Sequence, residues 1–132
     1  MTQTTMRPFL MFEGRAEEAM KFYVGLFADG EIVDAVRYGT DGPGPAGSIM
    51  KATFRVAGQT VMCTDSFVKH GFTFTPAMSL FVDCASEAEL RRLGAALAQD
   101  GAVLMPLAHY GFSRLFTWVC DRFGVSWQVN LP

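Results

Sequence analysis

The sequence predicts an α+β fold: two βαβββ modules forming an eight-stranded half-open barrel with helices on its convex face. Three observations predict it. Hydrophobic periodicity reads strand, helix, strand, strand, strand, and then repeats that order. Short stretches recur at matching places in the two halves: Leu10-Met11-Phe12-Glu13 parallels Leu80-Phe81-Val82-Asp83, Asp29-Gly30 parallels Asp100-Gly101, Tyr38-Gly39 parallels Tyr110-Gly111, and Gly58 parallels Gly124. The run from Phe116 to Leu131 places apolar β-formers on both sides of Asp121-Arg122-Phe123-Gly124, which reads as a hairpin.

The elements follow in order. Arg7 to Phe12 is an expected strand, entered through Pro8. Ala16 to Phe27 is an expected helix, because Ala19, Met20, Tyr23 and Phe27 recur at helical spacing and Asp29-Gly30 supplies a left-handed stop. Ile32 to Tyr38 is a strand. Thr40 to Ser48 is rich in Gly and Pro and reads as a loop able to act as a lid. Met50 to Val56 and Gln59 to Thr64 form a hairpin about Ala57-Gly58. An aromatic linker, 66–77, leads to a strand at Met78 to Asp83. A helix from Ser86 to Gln99 opens with Ser86-Glu87-Ala88-Glu89, a capping box. Val103 to Leu107 is a strand, His109 to Ser113 a loop, and the hairpin closes the chain. One domain over 1–132 is expected, with module one at about 5–65 and module two at 78–132.

Composition narrows the classes of function. Half the residues are hydrophobic, 18% are charged and the formal net charge is −2. A nucleic-acid footprint needs a basic face, and a polybasic membrane patch needs one too; neither is present. The three cysteines, Cys63, Cys84 and Cys120, lack CxxC spacing and sit in apolar stretches, as buried reduced thiols do. The first residues carry no signal-peptide apolar core, so a cytoplasmic protein is expected.

A βαβββ unit covers one sheet face with its helix and leaves the other open. Alternation along the strands assigns that open face. The expected cleft residues are Arg7, Phe9, Met11, Thr53, Met62, Phe81, Thr117, Ser126 and Gln128. In the last hairpin, pairing Cys120 with Val125, Trp118 with Trp127 and Phe116 with Val129 sends both tryptophans to the core and Thr117, Val119, Ser126, Gln128 and Asn130 to the cleft.

Several stretches resemble a known superfamily: 12–23 (FEGRAEEAMKFY), 80–84 (LFVDC), 101–106 (GAVLMP), Tyr110-Gly111-Phe112-Ser113, and 118–130 (WVCDRFGVSWQVN). The chain resembles the vicinal oxygen chelate superfamily of glyoxalase I, extradiol dioxygenases and bleomycin- or fosfomycin-resistance proteins. Within it, the likeness is to the PhnB-like group, whose domains are often labelled 3-demethylubiquinone-9 3-methyltransferase. The resemblance implies a homodimer and four inward metal-ligand positions, which fall here on Arg7, Met62, Ala77 and Gln128. Metal-binding relatives carry His, Glu or Gln there, and only Gln128 conforms. A divalent ion needs several N or O donors in one shell, so no metal and no other cofactor is expected. No glycine pattern for a methyl-donor nucleotide is visible.

Other candidates are weaker. His109, beside Tyr110, has an imidazole suited to proton transfer, yet a loop histidine bonded to backbone or water explains it as well. His70 reads the same way, and no catalytic residue is assigned. Arg7, Lys51 and Arg55 offer cations to an anionic ligand or simply margin the sheet. The expected function is small-molecule binding in the cleft without a conventional metal; the alternative is a metal-dependent lyase, isomerase or dioxygenase, and a third reading is assembly with a vestigial cleft.

Overall fold

The computed structural model describes residues 2–132. The chain divides into two compact units, one ending at His70 and the other beginning at Gly71. In the first, β1 (Phe9–Phe12), α1 (Ala16–Leu26), β2 (Glu31–Arg37), β3 (Ile49–Val56) and β4 (Gln59–Asp65) follow in order; in the second, β5 (Ser79–Asp83), α2 (Glu87–Ala98), β6 (Ala102–Tyr110), β7 (Ser113–Cys120) and β8 (Ser126–Leu131) do. The βαβββ order therefore occurs twice. The strands pair into two four-stranded sheets, β1-β4-β3-β2 and β5-β8-β7-β6, one in each unit, as the two βαβββ modules of the expected α+β fold. In each sheet the first and last strands of the unit run parallel and the other pairs antiparallel.

In the first unit α1 packs on one sheet face through Ala16, Ala19, Met20 and Tyr23. Leu10, Phe12, Ala52, Phe54, Val56, Val61 and Cys63 are buried on strands of this unit, and the Tyr23 ring lies 6.1 Å from Phe54. The helix lacks a local cap: Arg15 occupies the N-cap and its side chain makes no capping hydrogen bond. Asp65, from the end of β4, does that work from a distance. Its carboxylate accepts the N–H groups of Gly14 at 2.8 Å and Ala16 at 2.9 Å, and that of Ile49 at 3.0 Å. The first-turn carboxyl of Glu17 is held down at about 2, chiefly by its hydrogen bonds from Arg37 and then Lys21; the group is solvent-screened and carries little stability.

The second unit caps α2 locally. Glu89 N–H donates to Ser86 Oγ at 3.2 Å, and the Glu89 carboxylate accepts from Ala85 N–H, one residue earlier than a capping box requires. Leu90, Leu93, Gly94 and Leu97 form its buried stripe.

Gly30, expected as a left-handed stop, and Gly101 of the matching Asp-Gly pair serve a different purpose. Neither Gly30 nor Gly101 has positive φ. A Cβ on Gly30 would run into the Val24 carbonyl, and one on Gly101 into that of Cys120, so close backbone approach demands glycine. The left-handed residue after α2 is Asp100, at φ 60. The β3–β4 turn does use positive φ, at Ala57 and Gly58, the pattern of a type I′ hairpin. Asp29 clamps that turn, accepting both N–H groups at 2.8 Å.

The loop from Thr40 to Ser48 is tied down within its unit. Tyr38 exchanges backbone bonds with Ser48 and Gly47, Arg37 donates to the Gly47 carbonyl, and the Tyr38 ring fills the space a Cβ on Gly44 would need. The last expected loop is shorter than predicted: β6 continues through His109 to Tyr110 before turning.

Candidate functional site

Each sheet has one face against its helix and one free of it, and chemistry suited to a small ligand collects on the free faces. In the first unit the register aligns Phe9, Met62 and Thr53 in one row across β1, β4 and β3. Met11 pairs with Thr64 in the next row. Met11, Thr53 and Met62 are half-buried and Phe9 is exposed. Arg7 precedes β1, exposed and outside the ladder, because the chain pairs only from Pro8, whose carbonyl accepts from Met62 N–H. Arg55 pairs across strands with Glu31 at 3.1 Å, so it margins the sheet.

In the second unit the register aligns Phe81, Gln128, Trp118 and Met105 in one row, and Ser79, Ser126, Cys120 and Ala102 in the row beside it. Phe81 is 55% exposed; Gln128, Ser79 and Trp118 are half-buried. Four polar atoms form a connected chain. Trp118 Nε1–H donates to Ser126 Oγ at 2.8 Å, the Ser126 and Ser79 hydroxyls share a 2.7 Å bond, and Gln128 Nε2–H donates to Ser79 Oγ at 3.1 Å. Beside it, Phe81 lies 6.4 Å from Phe116, which Phe112 and Tyr110 approach edge-on at 5.0 and 5.8 Å.

Thr117 does not belong to this face. Trp118 pairs with Gln128 and Val119 with Trp127, one residue out of the expected register. The faces of β7 are thereby exchanged. Thr117 is buried on the helix side, its methyl 3.1 Å from where a Cβ on Gly94 of α2 would sit, its hydroxyl bonded to the Met105 carbonyl at 2.9 Å. Trp118, expected in the core, takes the open face. The cause is Asp121, whose Oδ1 accepts from Phe123 N–H at 2.8 Å and Val125 N–H at 3.0 Å while its backbone N–H donates to the Val125 carbonyl. This enlarges the turn by one residue over a two-residue tip. An Asp at the end of a strand, with its tendency to bond the backbone two residues on, was the available signal.

The remaining candidates find structural partners or lie at the surface. His70 Nε2 is 2.9 Å from Ser66 Oγ, and His109 is exposed on β6. Burial pushes the Cys63 thiol up to about 12 and Cys84 up to about 11, with Cys120 raised for the same reason; none is a ready thiolate nucleophile.

The four residues that the resemblance offers as metal ligands lie two in each unit and differ in donor chemistry. Arg7 has no lone pair and Ala77, in the turn before β5, has no donor. Met62 offers a thioether suited to soft ions, which leaves the Gln128 amide as the one hard donor. Among the described residues no group of three or more His, Cys, Asp or Glu gathers to hold a metal.

Comparison with known proteins places these observations. Residues 4–130 match the family model described as 3-demethylubiquinone-9 3-methyltransferase. A solved PhnB protein from Bacillus cereus, carrying that same label, is 54% identical over 98% of this chain and 100% of its own, with a TM-score of 0.94. Protein PA1353 from Pseudomonas aeruginosa is 34% identical, covering 98% of each chain, with a TM-score of 0.79. FosX from Listeria monocytogenes, a fosfomycin resistance protein solved with Mn(II) and a dihydroxypropylphosphonic acid, shares the fold at 10% identity, 100% and 94% coverage and a TM-score of 0.63. A search of curated proteins finds no match.

Proposed function

We propose that this chain, which belongs to the PhnB-like, 3-demethylubiquinone-9 3-methyltransferase-like family of the vicinal oxygen chelate superfamily, binds a small molecule on its helix-free sheet faces without a conventional metal. The observation that carries this reading is the row around Gln128. A half-buried amide, two hydroxyls and an indole N–H lie beside exposed aromatic surface, the mixture of apolar area and few placed polar groups that ligand sites use. Phe9, Met11, Thr53 and Met62 give the first unit a comparable, more apolar face, and Arg7 adds a cation at its margin.

The superfamily's metal-dependent lyase, isomerase or dioxygenase chemistry asks for donors that Arg7, Met62 and Ala77 lack. Methyl transfer, the activity in the family label, finds no support in a glycine-rich nucleotide loop. A thermal-shift screen with aromatic metabolites, small anions and antibiotics is expected to yield at least one concentration-dependent rise in Tm, abolished by Gln128→Ala. Stoichiometric Zn, Mn, Ni or Fe in the purified protein, lost in the same variant, would overturn the reading.

We also propose a homodimer in a reducing, cytoplasmic compartment. The edge strands β2 and β6 expose Ile32, Val33 and Val36, and Val103, Leu104 and Leu107, more apolar edge than an isolated chain usually leaves in water. No helix is long and apolar enough to cross a membrane among the described residues. Light scattering at micromolar concentration is expected to return twice the 14.5 kDa chain mass; a monomer across the concentration range would refute the dimer.

A further inference from the structure

The hydrogen-bond chain on the second sheet has a direction, and the direction specifies a ligand. The Trp118 indole N–H can only donate, so Ser126 Oγ accepts from it at 2.8 Å. Ser126 is 1% exposed, and its one further partner among the described residues is Ser79 Oγ at 2.7 Å. The Ser126 proton therefore goes to Ser79, since any other arrangement buries it unpaired. Ser79 accepts a second bond from Gln128 Nε2 at 3.1 Å. Both its lone pairs are now engaged and its own proton is left for an outside acceptor. Gln128 keeps its Oε1 as an acceptor beside it.

Charge narrows the class further. The two rows Ser79–Ser126–Cys120–Ala102 and Phe81–Gln128–Trp118–Met105 contain no ionisable acid or base other than the raised thiol of Cys120. A charged group set down here meets no counter-charge within these rows, and the charged side chains farther along the face are already bonded, Asp83 to Asn130 and Arg114 to the Pro132 carbonyl, so its lost hydration is poorly offset. Phe81 and Trp118 flank Gln128 in its row and offer ring surface. We propose that this face recognises a neutral planar amide or lactam. The ligand carbonyl accepts the Ser79 proton, the ligand N–H donates to Gln128 Oε1, and the ring lies against Phe81 and Trp118. This inference rests on the small-molecule reading above and deepens it.

The test is an NMR titration of the ¹⁵N-labelled full chain with three ring-matched probes: benzamide, benzoate and benzylammonium. Benzamide is expected to bind most tightly and to move the Trp118 indole signal more than that of Trp127. Ser79→Ala is expected to weaken benzamide by about 3- to 10-fold, the loss of one neutral hydrogen bond, with shifts in the unliganded spectrum confined to Ser126, Gln128 and Trp118, which share its hydrogen-bond chain. Gln128→Glu places a carboxylate where it takes the Ser79 proton and adds negative charge, so preference is expected to pass to benzylammonium. Tighter binding of benzoate or benzylammonium to the unmutated protein, or benzamide affinity indifferent to Ser79→Ala, overturns the amide assignment while leaving a binding face. If none of the probes perturbs Trp118, Phe81 or Gln128, the amide assignment and the binding reading for this sheet fall together.

Discussion

Asp65→Ala is expected to lower unfolding free energy by about 3–5 kcal/mol, the largest effect of any single substitution considered for this chain. Asp65 is 3% exposed. Its two oxygens hold the N–H groups of Gly14, Ala16 and Ile49, and Ala16 and Ile49 are themselves fully buried. Alanine leaves three donors without an acceptor, those of Ala16 and Ile49 where water has little access and that of exposed Gly14 at the surface, and each buried orphan costs about 1–3 kcal/mol. The loss is also topological. The carboxylate ties the start of α1 to the start of β3 from the end of β4, while the Asp65 carbonyl accepts the Tyr38 hydroxyl at 3.0 Å. Because α1 has no local cap, nothing nearby replaces the bond. Asp65→Asn keeps one acceptor oxygen but turns an NH₂ toward a donor, so it is expected to recover roughly half the loss. Urea denaturation with a shared m-value measures both. A destabilisation by Asp65→Ala below about 1 kcal/mol would show that the three bonds are not holding this junction.

What was legible in the sequence divides along physical lines. Strand and helix order was legible because burial imposes a period, and Leu10/Phe12 or Ala52/Phe54/Val56 display it without ambiguity. Most of the free-face residues followed from the same alternation: Phe9, Met11, Thr53, Met62, Phe81, Ser126 and Gln128 all lie on strands with the expected phase. Arg7 fell just outside the ladder, since hydropathy cannot say where pairing begins. Thr117 was assigned to the wrong face because β7 is apolar on both. Phe116, Trp118 and Cys120 compete with Leu115, Val119 and a threonine methyl, so a one-residue slip costs the pattern nothing. Only a side-chain hydrogen bond in the turn breaks the tie, and that bond is invisible to periodicity. The capping role of Asp65 is invisible to pattern because its partners at the start of α1 are 49 and 51 positions away along the chain.

Asp121→Ala is expected to cost about 2–4 kcal/mol and to disturb the helix-free face of the second sheet as well. Asp121 is 3% exposed. One oxygen accepts from Phe123 and Val125, and the other accepts the Trp127 indole N–H at 2.9 Å. Trp127 is 1% exposed, so its N–H has no water to fall back on. The same carboxylate shapes the turn that sets β7 against β8, and that register is what puts Trp118 beside Gln128. Removing it frees the competing pairing, in which Thr117 and Trp118 exchange faces. Two readouts separate the energetic part from the register. Urea denaturation gives the stability loss, and Trp127→Phe in an Asp121→Asn background closes a double-mutant cycle on the indole bond, with a coupling of about 0.5–3 kcal/mol expected. The Trp118 indole signal reports the register: it is expected to lose its Ser126 hydrogen bond, and shift, in Asp121→Ala but to hold its position in Trp127→Phe. A Trp118 signal unmoved by Asp121→Ala would mean that strand packing, rather than the turn, decides which face of β7 turns away from α2.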